Sequence, residues 1–291
     1  MREALVFGGS GQVGVPLLAK LRDSGWHVTA VSRNARMDEA GVHWLHGDLA
    51  GFGGIPADRM PAAVDAIFSC GPLDHFARWY ATTPLQAARV VAFGSTSLEV
   101  KVDSTEPAER DVASRLAEGE RVVFATAVRR GAHATLLRPT LVYGAGRDRT
   151  LTRIADFAKR WHCCVLPRGA SGLRQPVHVD DLATAALQAC DASQAHGKAY
   201  ALPGGETLPY REMVARVLRV LRPRPLLVEV PESAFVAALQ GARLFGAGGA
   251  PGDAAVARLR RDLVFDAGPA SRDFRYVARA FEPSADMFSA G

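Results

Sequence analysis

The chain has 291 residues, close to half of them apolar, and a formal net charge of +5. That is enough for one large α/β domain or a domain with a smaller lobe, and no apolar run reaches the length of a membrane span. The basic surplus is arginine spread along the chain; it suits an anionic ligand and does not mark a nucleic-acid partner.

The first element is a short apolar strand, Ala4–Phe7, broken by Gly8, Gly9, Gly11 and Gly14. Val13, Leu17, Leu18 and Leu21 then share one face of a helix that ends near Ser24-Gly25. Strand, glycine turn and helix gather backbone N–H groups and a positive helix end at one point, which suits a phosphate. Gly8 allows the turn, Gly11 lets the backbone approach a pyrophosphate, and Gly14 lets helix and strand pack closely. The spacing is G-x-x-G-x-x-G, and its place between strand and helix carries the reading more than the glycines themselves do. Because the first strand starts at once, no signal sequence is expected, and the protein is read as soluble and cytoplasmic, without a membrane partner.

Trp26–Ser32 is the second strand, rich in β-branched residues. An NAD site usually places an acid at its end for the ribose 2′-hydroxyl; here Ser32-Arg33-Asn34 stand there, with Arg36 beyond. Ser32 and Arg33 suit a 2′-phosphate, so NADP is favoured over NAD, while Asp38 or Glu39 remain as ribose partners for NAD. Val42–Leu45 is a third strand, and Asp48 after it is either an adenine contact or a turn residue. Residues 50–61, rich in Gly and Pro, form a loop or a poor helix, Ala63–Cys70 is the fourth strand, Ala77–Ala88 is helical, and Val90–Phe93 is the fifth strand. The hydroxyls of Ser95 and Thr96 then fall at the C-terminal edge of the sheet, where such sheets bind ligands.

Glu106–Arg121 reads as a charged, solvated helix. Ala132–Tyr143 is the sixth strand, 150–161 a helix, Gln175–Val179 a short extended piece, and Asp180-Asp181 open a further helix. Lys198–Leu202 is the seventh strand. A helix over 209–221, a strand over 225–230, an apolar helix over 232–245 and a glycine-rich break at 246–252 follow, before an ordered tail. Alternating strands and helices predict a Rossmann-type doubly wound parallel sheet over 1–149, regaining 175–203, with an interleaved substrate-binding lobe in 150–291. Cys70, Cys163, Cys164 and Cys190 make neither a zinc spacing nor a disulfide framework and are expected to be buried small residues.

The chain resembles the extended short-chain dehydrogenase/reductases, the NAD-dependent epimerase/dehydratase family. The resemblance is carried by Gly8-x-x-Gly11-x-x-Gly14, Gly47-Asp48-Leu49, Leu137–Gly144 (LRPTLVYG), Gln175–Asp181 (QPVHVDD), Gly204–Met213 and the tail. It implies an NAD(P)-binding domain and a substrate lobe, often for a nucleotide sugar. Residue by residue, it implies that Gly8, Ser10, Gly11, Gln12, Val13 and Gly14 hold the pyrophosphate and that Asp48 and Leu49 line the adenine pocket. Cys70 and Gly71 lie along the cofactor's middle, and Pro139 lies beside the nicotinamide. Thr96, or Ser95, takes the place of the catalytic hydroxyl.

The family's Tyr-x-x-x-Lys pair is missing. The helix expected to carry it contains neither residue and aligns with Asp111 at the Tyr place and Arg115 at the Lys place. Arg115 can bind ribose, but an arginine does not readily give up a proton. Tyr143 and His178 are the substitute acids, with His75 and Tyr80 behind them. Arg147, Arg149, Arg168 and Arg174 are candidates for an anionic group of a small-molecule substrate, which would lie between the sheet edge and the lobe. Two functions follow: NADP-dependent hydride transfer on a carbonyl or carbinol carbon, or a non-catalytic NADP-sensing or scaffold protein. Family members often dimerise through the Tyr-bearing helix; this one is short and charged, so either a monomer or a homodimer fits.

Overall fold

The computed structural model describes residues 2–51, 54–55, 59–148, 150–244 and 256–288. The glycine-rich break at 246–252, Arg149 and parts of the 50–61 loop lie outside them. The chain divides into two compact units: Met1–Thr140, Val179–Leu202 and Asp266–Ala278 form the first, and Leu141–His178, Pro203–Phe265 and Arg279–Gly291 the second.

The first unit holds a seven-stranded sheet. Its strands are β1 (Glu3–Phe7), β2 (His27–Ser32), β3 (Val42–His46), β4 (Ala63–Ser69), β5 (Gln86–Phe93), β6 (His133–Pro139) and β11 (Lys198–Leu202). The order is β11-β6-β5-β4-β1-β2-β3, and every neighbouring pair is parallel. This is a Rossmann-type α/β arrangement, with the order reversing between β1 and β4. Strands covered on both faces read as unbroken apolar runs. Leu5, Phe7, Val31 and Ile67 face one layer together with Phe76 and Tyr80 of α2 (Leu73–Thr82) and Val123 and Ala127 of α4 (Pro107–Arg129). In the other layer α1 (Gly14–Asp23) packs on α6 (Val179–Asp191).

Two boundaries differ from the sequence reading. Gln86–Ala88 belong to β5, because Pro84 ends the helical stretch and α2 stops at Thr82. The charged helix is not short. After the four-residue α3 (Ser97–Val100), α4 runs 23 residues to Arg129, and its last two turns bury Val123, Thr126 and Ala127. The β-branched run Val122-Val123 looks strand-like locally, and core packing overrides that preference.

In the second unit Val142–Tyr143 (β7) pairs with Val177–His178 (β10), and Leu173–Arg174 (β9) with Leu208–Pro209 (β12). Cys163–Pro167 (β8), which the sequence reading did not assign, pairs in parallel with Leu226–Val230 (β13). The expected 225–230 strand thus forms its own small sheet. Around these lie α5 (Leu151–Trp161), α7 (Tyr210–Val220) and α8 (Glu232–Leu244), while α9 (Gly268–Phe274) belongs to the first unit.

One carboxylate fastens the end of the chain in this unit. Glu206 accepts two hydrogen bonds from the Arg216 guanidinium, at 2.7 and 2.8 Å, and one from the Phe281 N–H at 3.2 Å. The Arg216 bonds lead in holding its carboxyl below the usual glutamate range. A depressed carboxylate adds stability above its unfolded pKa and loses it as pH falls through the folded value. Urea unfolding is therefore expected to show stability dropping as pH falls below the ordinary glutamate range, with a shallower drop in Glu206→Gln. Equal slopes in the two proteins would remove Glu206 from the acid response.

Candidate dinucleotide site

The glycine turn is built by backbone contacts that exclude side chains. Gly8 has φ +70°, and a Cβ there would lie 3.0 Å from the Cys70 carbonyl carbon and from the Gly71 nitrogen. The turn is closed by the Gly11 N–H donating to the Gly8 carbonyl at 2.9 Å, and the Cys70 N–H donates to the Phe7 carbonyl at 2.9 Å. A Cβ on Gly14 would fall 2.1 Å from the Gly8 oxygen. Helix α1 starts at that point with no side-chain cap and no acid in its first turn, so its positive end is not neutralised. The Gln12 side-chain oxygen is buried and makes no hydrogen bond. An uncapped helix end, a bare glycine cradle and an unsatisfied buried amide oxygen fit a bound dinucleotide pyrophosphate.

Ser32 ends β2 beside this turn. It is 4% exposed, its Oγ stands 3.4 Å from Ser10 Oγ, and it accepts the Asn34 N–H at 3.2 Å. Arg33 is exposed; its carbonyl bonds His46 Nε2 at 3.0 Å, and its guanidinium has no ion-pair partner among the described residues. Arg36 is occupied over the Trp44 ring, 5.0 Å from its centroid. Asp38 is committed elsewhere: it accepts the Trp44 N–H and bonds His43 Nδ1, both at 2.7 Å. Those bonds hold its carboxyl below the ordinary range. Asp38 and Glu39 line a groove with Glu3, His27 and Val42, at the N-terminal ends of the strands, opposite the glycine turn. Asp48 and Leu49 line a second, smaller hollow with Arg78 and Trp79 of α2. Val13 is the residue before α1 and is buried.

The hydroxyl candidates differ in what they already hold. Thr96 is 6% exposed, and both its N–H and its Oγ1 donate to the Pro139 carbonyl at 3.2 Å. Ser95 is only half-buried; its Oγ accepts the Ser97 N–H at 3.1 Å, which leaves its own proton free to donate. Cys70 is no nucleophile, since burial pushes its thiol up to about 12.

On α4, Arg115 donates to Asp111 at 2.9 Å and to Asp74, in the first turn of α2, at 3.3 Å. Asp111 and Asp74 together hold the guanidinium firmly protonated. Sequence reasoning missed Asp74, and it also missed Glu120. Glu120 is 5% exposed and takes a two-pronged bond from Arg138 of β6, which reaches Glu99 as well. The signal was available: an arginine in a buried strand needs a carboxylate.

In the second unit Tyr143 and His178 lie together, edge to face with centroids 5.1 Å apart, and both are under 9% exposed. Phe281 packs on the other side of the Tyr143 ring. Arg174 is also buried. Its guanidinium donates to the carbonyls of Leu173, Arg258 and Arg261 and lies 5.4 Å from the Tyr210 ring centroid, and burial lowers its pKa.

The comparisons with known proteins agree with this geometry. Residues 113–202 match the model of the NAD dependent epimerase/dehydratase family. A curated 2-alkyl-3-oxoalkanoate reductase of Stenotrophomonas maltophilia is 28% identical over 247 residues, covering 74% of each chain. Among solved structures, the epimerase Mth375 of Methanothermobacter thermautotrophicus superposes with a TM-score of 0.69 at 16% identity, covering 98% of this chain and 89% of that one. MoeE5, solved with UDP-glucuronic acid and NAD, gives 0.71 at 19% identity, covering 96% and 94%. At those identities the structures establish the fold alone. Taken with the motifs, these findings make the chain similar to NAD dependent epimerase/dehydratase family proteins, over residues 113–202 by the family model and over most of its length by fold.

Proposed function

We propose that this protein is an NADP-dependent oxidoreductase acting on the carbonyl or carbinol carbon of a small molecule, such as a nucleotide sugar or a related compound. The observation that carries the cofactor choice is at the end of β2: Arg33 stands exposed and without an ion-pair partner among the described residues, while Asp38 is bonded at the opposite edge of the sheet. Gly8, Ser10, Gly11, Gln12, Val13 and Gly14 would hold the pyrophosphate. Ser32 and Arg33 would hold the 2′-phosphate, Asp48 and Leu49 the adenine, Cys70, Gly71 and Pro139 the middle and nicotinamide end, and Arg115 a ribose. When bound, the dinucleotide supplies a hydride donor or acceptor. Ser95 and Thr96 would position the substrate oxygen by hydrogen bonds, with Tyr143 and His178 as further candidates for handling a proton. The reductase relative supports ketone reduction over epimerisation. The locked Arg174 leaves Arg168, exposed and without an ion-pair partner among the described residues, as a better contact for an anionic substrate group. The protein is proposed to work in the cytoplasm, as a monomer or homodimer.

Calorimetric titration of NADPH and NADH tests the cofactor. NADPH is expected to bind more tightly, and Arg33→Ala to weaken NADPH on the order of tenfold while leaving NADH unchanged. Equal or tighter NADH binding in the unmodified protein would overturn the assignment. Activity is tested by NADPH consumption with a panel of ketones, followed in Ser95→Ala, Thr96→Val, Tyr143→Phe and His178→Gln. Tight NADPH binding with no consumption would point instead to a non-catalytic NADP-sensing or scaffold role, for which the missing Tyr-x-x-x-Lys pair is the supporting observation.

A further inference from the structure

The second unit carries an exposed apolar face that the proposed reaction does not use. Along α5, Leu151, Thr152, Ala155 and Ala158 point into the core. The opposite stripe puts Phe157 and Trp161 outward, one turn apart, 49% and 58% exposed, with their rings 6.3 Å apart. The chain leaves the helix at His162, whose carbonyl accepts the N–H of Leu226 at 3.0 Å. Leu226 is thereby placed beside the helix end, and it is 69% exposed.

The charges on this face have one dominant sign. Arg160 lies over the Trp161 ring, 5.7 Å from the centroid, and has no ion-pair partner among the described residues. Arg224, two residues ahead of Leu226, is exposed and likewise unpaired among the described residues. Arg153 is on the same stripe of α5. The acids nearby in sequence are Asp156, on the flank of that stripe, and Glu229 and Glu232, which are occupied by Arg211 and Arg260.

We propose that this face docks the protein on an anionic lipid surface, lying at the headgroup level without spanning the bilayer. Three physical points select that occupant. Tryptophan and phenylalanine interleaved with arginine suit the bilayer interface, where aromatic rings reach the acyl boundary and guanidinium groups meet phosphates. The core of a protein–protein interface is instead depleted of charge. A second copy of the chain docked through the same patch about a two-fold axis would bring like charges together. Surface docking departs from the expectation from sequence, which was of no membrane partner; it needs no spanning segment, and among the described residues no helix is long and apolar enough to cross a membrane.

The test is co-sedimentation of the full chain with vesicles of phosphatidylcholine alone and of phosphatidylcholine mixed with phosphatidylglycerol. Binding is expected to the mixed vesicles only, and to weaken as salt is added. Phe157→Ser combined with Trp161→Ser, and separately Arg160→Glu combined with Arg224→Glu, are each expected to lower binding on the order of tenfold or more. All four side chains are exposed, and circular dichroism with an unchanged NADPH affinity checks that the variants fold. No binding to either vesicle, equal binding to both, or undiminished binding by both folded variants would overturn the proposal. So would a concentration-dependent dimer that the same substitutions dissolve in the absence of vesicle binding.

Discussion

Gly14→Ala is expected to abolish measurable NADPH binding and to lower the thermal midpoint by roughly 5–10 °C. The new methyl carbon would lie 2.1 Å from the Gly8 oxygen and 2.7 Å from both Cα and the carbonyl oxygen of Gly9. All three are backbone atoms, so no side chain can swing aside. The Gly8 end of the turn has nowhere to retreat, because Gly8 itself lies against the backbone of Cys70 and Gly71, and β1 is held between β2 and β4. Helix α1 must therefore move off the strand, at an overpacking cost of about 3 kcal/mol. That movement separates the helix N-terminus from the turn proposed to face the pyrophosphate. Gly11→Ala is the graded comparison: its Cβ would sit 3.0 Å from the Gly8 oxygen, and its effect should be smaller in both measurements. Thermal melts and NADPH titration of the two variants check this. Unchanged NADPH affinity in a folded Gly14→Ala protein would mean that the turn does not hold the dinucleotide.

The same turn explains why much of this fold is legible from sequence. Glycines at Gly8 and Gly14 answer to backbone geometry, and an apolar run buried on both faces reads as a parallel strand whatever surrounds it. The end of β2 is readable as a strand end, and Ser32 lies there beside the glycine turn. What sequence does not give is who holds whom. Asp38 and Ser32 are six residues apart, yet one is bonded at the N-terminal edge of the sheet and the other lies beside the glycine turn. Arg174 looks like a candidate anion contact until the carbonyls of Arg258 and Arg261 are seen to occupy it. The strand at Cys163–Pro167 escapes because it is short and its partner lies about sixty residues later. Glu120 escapes because a charged helix suggests a solvated face, and only the tertiary structure shows which of its acids turns inward.

That inward acid has the larger consequence for stability. Arg138→Met is expected to cost about 3–5 kcal/mol, because it strands the Glu120 carboxylate in the interior. Glu120 takes the Arg138 guanidinium through both of its oxygens, one of them 2.8 Å from Nε, and its side chain is 7% exposed. Glu120→Gln should cost less, since an amide still accepts from Arg138, and Arg138 keeps Glu99 at 3.0 Å. The double variant Glu120→Leu with Arg138→Met removes both charges and should recover much of the single-variant loss, because an apolar pair of similar volume has no desolvation penalty to offset. The cycle also reaches the site. Glu120 Oε1 lies 3.1 Å from where a Cβ of Gly94 would stand, so the carboxylate rests against the backbone just ahead of Ser95 and Thr96. Arg138→Met is therefore expected to reduce turnover of any ketone the protein is found to accept, as well as stability, while NADPH affinity, proposed to be set at the glycine turn on β1, changes little. Urea unfolding of the four proteins gives the coupling energy. A double variant no more stable than Arg138→Met would show that packing at these positions, and not the stranded charge, sets the cost.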